Sequence, residues 1–270
     1  MLVLARLGSA DCNRSMPKKL ILDMPPPKDI IVLGHRIRYW EQGEGDPIVL
    51  VHGFSGSAAM EWAPVIPGLA KRNRVIALQV IGFEPSEQPD MPYTTEVLVR
   101  HLGEFMRALK LTNITLVGES FGGWHVAAYA VHAAALGQPA IARLALIGGA
   151  VCVKKFPGPD AKGFVDPELQ AAAEKLPPEF RTVNDATRMA IVRDSGLRGS
   201  DPTREQLAGI TVPTLLLWGD KDELIPLECG QDAATLIPKS RLVVLNGIGH
   251  IPSVEAPDDF IRIVSDFANS

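Results

Sequence analysis

The sequence predicts an α/β fold, with a mostly parallel central sheet flanked by helices. Three observations carry this. Short continuous apolar runs recur along the chain, as in strands covered on both faces. Helix-period segments separate them, which implies crossover connections between parallel strands. One long charged, proline-containing stretch interrupts the alternation and reads as a helical insertion over one end of the sheet.

The 270 residues suit one large domain, and 46% hydrophobic with 21% charged residues can bury a sizeable core. "MLVLARLGSADCNRS" lacks a basic start and is broken by Arg6, so residues 1–28 read as an N-terminal extension, with a signal peptide as the second reading. Pro25 to Pro27 mark its junction with a single domain, 29–270. "DIIVL" and "RIRYWEQ" flank Gly34-His35 and predict an antiparallel hairpin. "PIVLV", "RVIALQV", "NITLVG", "IARLALIGG", "VPTLLLWG" and "RLVVLNG" follow as buried strands. Val97, Leu98, His101, Leu102, Phe105, Met106 and Leu109 share one face of a helix capped by Thr95. A helix follows "GES", and another closes the chain, with Pro257 in its first turn and Asp258 and Asp259 at its positive end. The insertion covers about 153–209; its Phe156, Phe164, Phe180, Met189 and Ile191 would cover an apolar cleft or form the insertion's own small core.

The formal charge is −4 and there is no basic cluster, which argues against nucleic acid or an anionic membrane as the main partner. The expected partner is a small molecule. Cys12, Cys152 and Cys229 are scattered, so they read as unpaired thiols of a cytoplasmic protein, and no spacing suggests a metal site.

In open α/β sheets, sites form beyond the carboxyl ends of the strands. Four such ends carry glycines together with Ser, Asp or His: "HGFSGS", "GESFGG", "GDKDELIP" and "GIGHIP". Gly118-Glu119-Ser120-Phe121-Gly122 fits G-x-S-x-G, where a strained turn between strand and helix exposes the serine hydroxyl. A hydroxyl needs a base, and His250, after the last strand, is the best candidate. His101 and His132 fall in helical patterns, His35 in the hairpin turn, His125 on a helix leading away, and His52 in a turn it would shape. The histidine needs a carboxylate; Asp222 is the first choice and Asp220 the second.

"VLVHGFSGSAAMEW", "VGESFGGW", "LLLWGDKDELIP" and "NGIGHIPSVEAPDDF" resemble, in order and spacing, the segments of serine-type α/β-hydrolases. The resemblance runs from about Ile31 to the end. It implies the α/β-hydrolase fold with a short helical lid, Ser120 as nucleophile, Asp222 as acid and His250 as base. It also implies an oxyanion hole from the backbone N–H groups of Phe54 and Phe121, with Gly53, Gly118 and Gly122 as motif glycines. The rings of Phe54 and Phe121 are free to pack in the core meanwhile. No metal or organic cofactor is implied. The segment Gln79 to Ser86 departs from the family's D-x-P-G-x-G-x-S, which opens the question of what it contacts. Phe83, Glu84 and Trp124 are candidate pocket residues, although packing is favoured for Trp124 and a solvated carboxylate for Glu84.

The reading is a serine hydrolase that cleaves a small or medium carboxylic ester through an acyl-enzyme. The first alternative is a carbon–carbon hydrolase of a diketone-like ring-cleavage product. Its substrate carboxylate would need a cation, and Lys154, Lys155, Arg188 and Arg193 are available in the lid. The second alternative is a ligand-binding protein on a hydrolase fold.

Overall fold

Among the described residues nine strands form one sheet: β1 (Ala5–Leu7), β2 (Lys28–Val32), β3 (His35–Gln42), β4 (Pro47–Val51), β5 (Arg74–Leu78), β6 (Thr115–Glu119), β7 (Arg143–Ile147), β8 (Thr214–Gly219) and β9 (Ser240–Leu245). Their order is β1-β9-β8-β7-β6-β4-β5-β3-β2. Pairing is parallel from β1 through to β5, and antiparallel for β5 with β3 and β3 with β2. The computed structural model describes residues 5–7, 24–54, 57–153 and 185–270. Cys12 and, in the expected lid, Lys154, Lys155, Phe156, Phe164 and Phe180 lie outside the described residues. The short β1 pairs at the sheet edge within the segment read as an extension.

Every residue of β4, β6 and β8 is buried, because each face of the sheet carries its own apolar layer. Alternation divides the strands between the layers: Val49, Val51, Leu116 and Leu216 face one, Ile48, Leu50, Val117, Leu215 and Leu217 the other. Helices α3 (Thr95–Ala108) and α4 (Phe121–His132) cover the first layer. Helices α1 (Ala58–Trp62) and α2 (Ile66–Leu69) cover the second, together with a C-terminal helix over Pro257–Ala268.

Two local expectations need correction. The hairpin turns at Leu33-Gly34, with φ of 51° and 86°, as two-residue hairpin turns require, and His35 is the first residue of β3, opposite Val32. The cap of α3 is Thr94, whose extended backbone lets its hydroxyl accept from the Val97 N–H at 3.2 Å. Thr95 is already helical, and its hydroxyl accepts from the Gly196 N–H at 3.0 Å.

Within the expected lid, α5 (Asp185–Asp194) packs over the Gln79 to Ser86 loop, where the Thr187 hydroxyl donates to the Gly82 carbonyl at 2.5 Å. Ile191 is buried and Met189 is exposed. Helix α6 (Arg204–Ala208) follows, closed by a capping box between Thr203 and Gln206. Then come α7 (Leu227–Leu236), α8 (Pro252–Glu255) and α9 (Pro257–Ala268). Among the described residues no helix is long and apolar enough to cross a membrane.

Candidate active site

Ser120 follows β6 directly and starts α4. Its φ of 57° and ψ of −119° put a side-chain-bearing residue in a conformation that costs energy. Neighbouring bonds hold it there. Its N–H donates to the Ile147 carbonyl at 2.9 Å, and its own carbonyl accepts from Ala150 at 2.9 Å and Trp124 at 3.2 Å. So sharp a turn brings backbones together: a Cβ on Gly118 would lie 2.1 Å from the Gly122 carbonyl oxygen, and one on Gly122 would lie 2.0 Å from that of Val51. Only glycine fits either position.

Ser120, His250 and Asp222 form one hydrogen-bonded line. His250 Nε2 lies 2.9 Å from Ser120 Oγ, and Nδ1 lies 2.8 Å from Asp222 Oδ2. The other oxygen, Asp222 Oδ1, accepts from the N–H groups of Leu224 and Ile225 at 3.0 and 2.8 Å. A buried carboxylate so held can only accept, so the imidazole proton sits on Nδ1 and Nε2 is left to receive the serine proton. Asp220, the second choice, accepts instead from the Gly247 N–H at 2.6 Å and braces the turn before His250.

Gly53 lies against the serine, since a Cβ on it would come within 3.0 Å of Ser120 Cβ. The next residue, Phe54, stacks its ring on that of Phe121 at 4.4 Å and 12°. This stack ties together the two segments whose N–H groups are expected to receive an oxyanion. Among the described residues, neither of those N–H groups is taken by a hydrogen-bond acceptor. His52 shapes the turn from behind. Its Nδ1–H donates to the Gly53 carbonyl at 2.8 Å, and its Nε2 accepts from Val80 at 3.1 Å. Burial lowers its pKa to about 4, with the charge of Arg188 adding to the effect, so it is neutral.

The departing Gln79 to Ser86 segment is an internal brace. Gln79 is fully buried; its Oε1 accepts from the Ala58 N–H at 3.0 Å and its Nε2 donates to the Glu84 carbonyl at 2.6 Å. Of the candidate pocket residues, Phe83 is buried against His52, Phe54 and Phe121. Trp124 is buried on Phe121, with its indole N–H donating to the Asp201 carbonyl at 2.8 Å, and Glu84 is exposed. His125 donates to Leu98, His132 pairs with Asp201, and His35 pairs with Glu87, all away from Ser120.

Sequence reasoning passed over three carboxylates beneath the site: Glu61, Glu119 and Glu255. Glu61 accepts from the Gly53 N–H at 2.8 Å, and Glu255 from those of Gly249 and Ile251 at 2.7 and 2.9 Å. The signal was an acidic residue inside an apolar run, as in "ITLVGES" and "AAMEW".

A family model described as the alpha/beta hydrolase fold matches residues 46–205, more than half of the chain. The chain belongs to the α/β-hydrolase family. It is 32% identical to a 2-hydroxy-6-oxo-2,4-heptadienoate hydrolase of Pseudomonas putida, over 83% of this chain and 90% of that one. It is 29% identical to a 2-hydroxy-6-oxo-6-(2'-aminophenyl)hexa-2,4-dienoic acid hydrolase of Metapseudomonas resinovorans, over 87% of this chain and 88% of that one. A solved esterase from Exiguobacterium antarcticum superposes with a TM-score of 0.72 at 25% identity, covering 90% of this chain and 99% of that one. The α/β-hydrolase reading of the sequence therefore holds for fold and family, and the chain is a hydrolase of this class.

Proposed function

We propose that this hydrolase breaks the carbon–carbon bond beside a ketone, in a small substrate that also carries a carboxylate. The observation that carries the nucleophilic part is the Ser120–His250–Asp222 line at 2.9 and 2.8 Å. Ser120 attacks the ketone carbon while His250 takes its proton, and Asp222 stabilises the imidazolium. The N–H groups of Phe54 and Phe121 receive the oxyanion, a contribution of about 3 kcal/mol per donor. The carbon leaving group departs with the bonding electrons and is protonated by His250. Water activated by His250 then frees the acid from Ser120.

The choice of bond rests on the relatives. The compounds in both relatives' names hold a ketone, a dienol and a carboxylate, and no ester. Hydrolysis of such a compound breaks a carbon–carbon bond, and conjugation lets the departing carbon spread its charge. The carboxylate calls for a cation. Half-buried Arg188 lies on α5 next to Thr187, whose hydroxyl reaches the Gly82 carbonyl, and its charge helps lower the pKa of His52 behind Gly53. We assign Arg188 to the substrate carboxylate. Ester hydrolysis, the leading expectation from sequence, becomes the second reading; the fold likeness to the Exiguobacterium esterase supports it.

A fluorophosphonate should label Ser120, located by peptide mass. A 2-hydroxy-6-oxo-dienoate and a p-nitrophenyl ester should then be assayed side by side. The expected ratio of kcat/KM favours the dienoate by at least about 100-fold. The reverse ratio would replace this proposal with the ester reading, and an unlabelled serine would revive the ligand-binding alternative.

A further inference from the structure

The turns around Ser120 send backbone N–H groups inward, and carboxylates receive them. Glu61, on α1, takes that of Gly53 at 2.8 Å. Glu255, at the end of α8, takes those of Gly249 and Ile251, one on each side of His250. Glu119 Oε1 takes the Ser253 N–H at 3.3 Å, and its Oε2 takes the Ser253 hydroxyl at 2.6 Å. Glu119 and Ser253 are buried, at 1% and 0% exposure, and Glu61 at 4%. Helix α1 packs against α8, which brings these groups together.

Burying several carboxylates side by side is costly unless hydrogen bonds compensate. Here the compensation comes from the turns that hold the proposed oxyanion donor and base. Burial first, and the charge of Glu61 next, hold the Glu119 carboxyl well above the usual carboxylate range. A neutral acid there still accepts from Ser253 and adds one O–H donor to a crowd of acceptors. Glu119 adjoins Ser120 in the chain and is bonded to the helix that follows His250.

We propose that Glu119, clamped to Ser253 and flanked by Glu61 and Glu255, is a positioning residue that sets the His250 turn and the Gly53-Phe54 turn at their working distances from Ser120. It touches no substrate. The inference rests on the reading of Ser120 and His250 as nucleophile and base.

The test compares E119A, E119Q and S253A with the wild type, counting active sites by fluorophosphonate labelling and measuring turnover per labelled site with the preferred substrate of the paired assay. E119A should lower kcat by about 30- to 100-fold with KM within about twofold, as expected for a misplacement approaching 1 Å. E119Q, which retains an acceptor for Ser253 and a donor, should recover to within about threefold of the wild type. S253A removes the hydroxyl without touching the elbow, and should lower kcat about tenfold. A purely structural role would reduce the labelled fraction and Tm but leave kcat per site unchanged in all three; that result overturns the proposal, as does E119Q no better than E119A. Should E119A fail to fold, an unchanged kcat in S253A still overturns it. A wild type that does not label defeats the nucleophile reading and this inference with it. A labelled wild type with unaltered variants defeats this inference alone.

Discussion

Acid should destabilise this protein well above the pH at which exposed carboxylates titrate. His52, His101 and His125 are buried, and burial lowers the pKa of each from 6.5 to about 4. In the folded state they remain neutral; on unfolding at pH 5 to 6 each takes up a proton. Histidines depressed in this way contribute stability that is present above the unfolded pKa and lost as pH falls towards the folded one. Each shift is worth about 3 kcal/mol at full loss. Glu119 has the opposite sign. Burial, and next the charge of Glu61, hold its carboxyl well above the usual carboxylate range, so it offsets part of the histidine effect. The three histidines take up at most about three protons and Glu119 offsets part of this, so the slope is at most about 4 kcal/mol per pH unit near its steepest. Between about pH 6.5 and 4.5 the histidines' share of the loss is roughly 6 kcal/mol before that offset, a large part of a typical stability of about 5–15 kcal/mol. Urea unfolding followed by the fluorescence of buried Trp40, Trp62, Trp124 and Trp218 at stepped pH measures this directly. The variant His101→Leu isolates the cause, since Nδ1 of His101 has no hydrogen-bond partner among the described residues. It should flatten the slope by about one proton, roughly 1.4 kcal/mol per pH unit. Stability that stays level from pH 7 to 5, or an unchanged slope in the variant, refutes the reasoning.

Ser120→Ala should abolish fluorophosphonate labelling, read by intact mass, and lower kcat/KM by at least about 10⁴-fold. Asp222→Asn can keep its bonds from Leu224 and Ile225 only by turning an amide N–H₂ towards His250 Nδ1–H; kcat should fall by about 10³–10⁴ while circular dichroism stays unchanged. Gly122→Ala drives a Cβ to 2.0 Å from the Val51 oxygen, and should cost more than about 3 kcal/mol, seen as lost soluble yield or a large fall in Tm. Trp124→Phe removes the bond to the Asp201 carbonyl, and should cost about 1–2 kcal/mol in a thermal melt.

Much of the fold was legible because β4, β6 and β8 are covered on both faces, and such strands read as unbroken apolar runs. The Ser120–His250–Asp222 line was legible because its members each follow a strand and stand beside glycines. Other features depended on facts a linear pattern does not carry. Thr94 and Thr95 are chemically alike, and only the extended backbone of Thr94 distinguishes the cap. Gln79 reads as a loop residue, yet it is fully buried because Ala58 and the Glu84 carbonyl, distant or local in sequence, meet its amide. Glu61, Glu119 and Glu255 were hidden for a related reason. A carboxylate is expected at the surface, and their donors come from turns that the chain brings together only on folding.

The ladder of the sheet runs one rung past β6: the amide of Ser120 is bonded to Ile147, and its carbonyl holds Ala150. The tension of the elbow is therefore sustained by the centre of the molecule and cannot slacken by loop fraying. Amide exchange at Ser120 should then proceed only through the largest openings of the fold, among the slowest in the chain. Heat should extinguish function and structure together, with no range in which the protein is folded but its serine has relaxed.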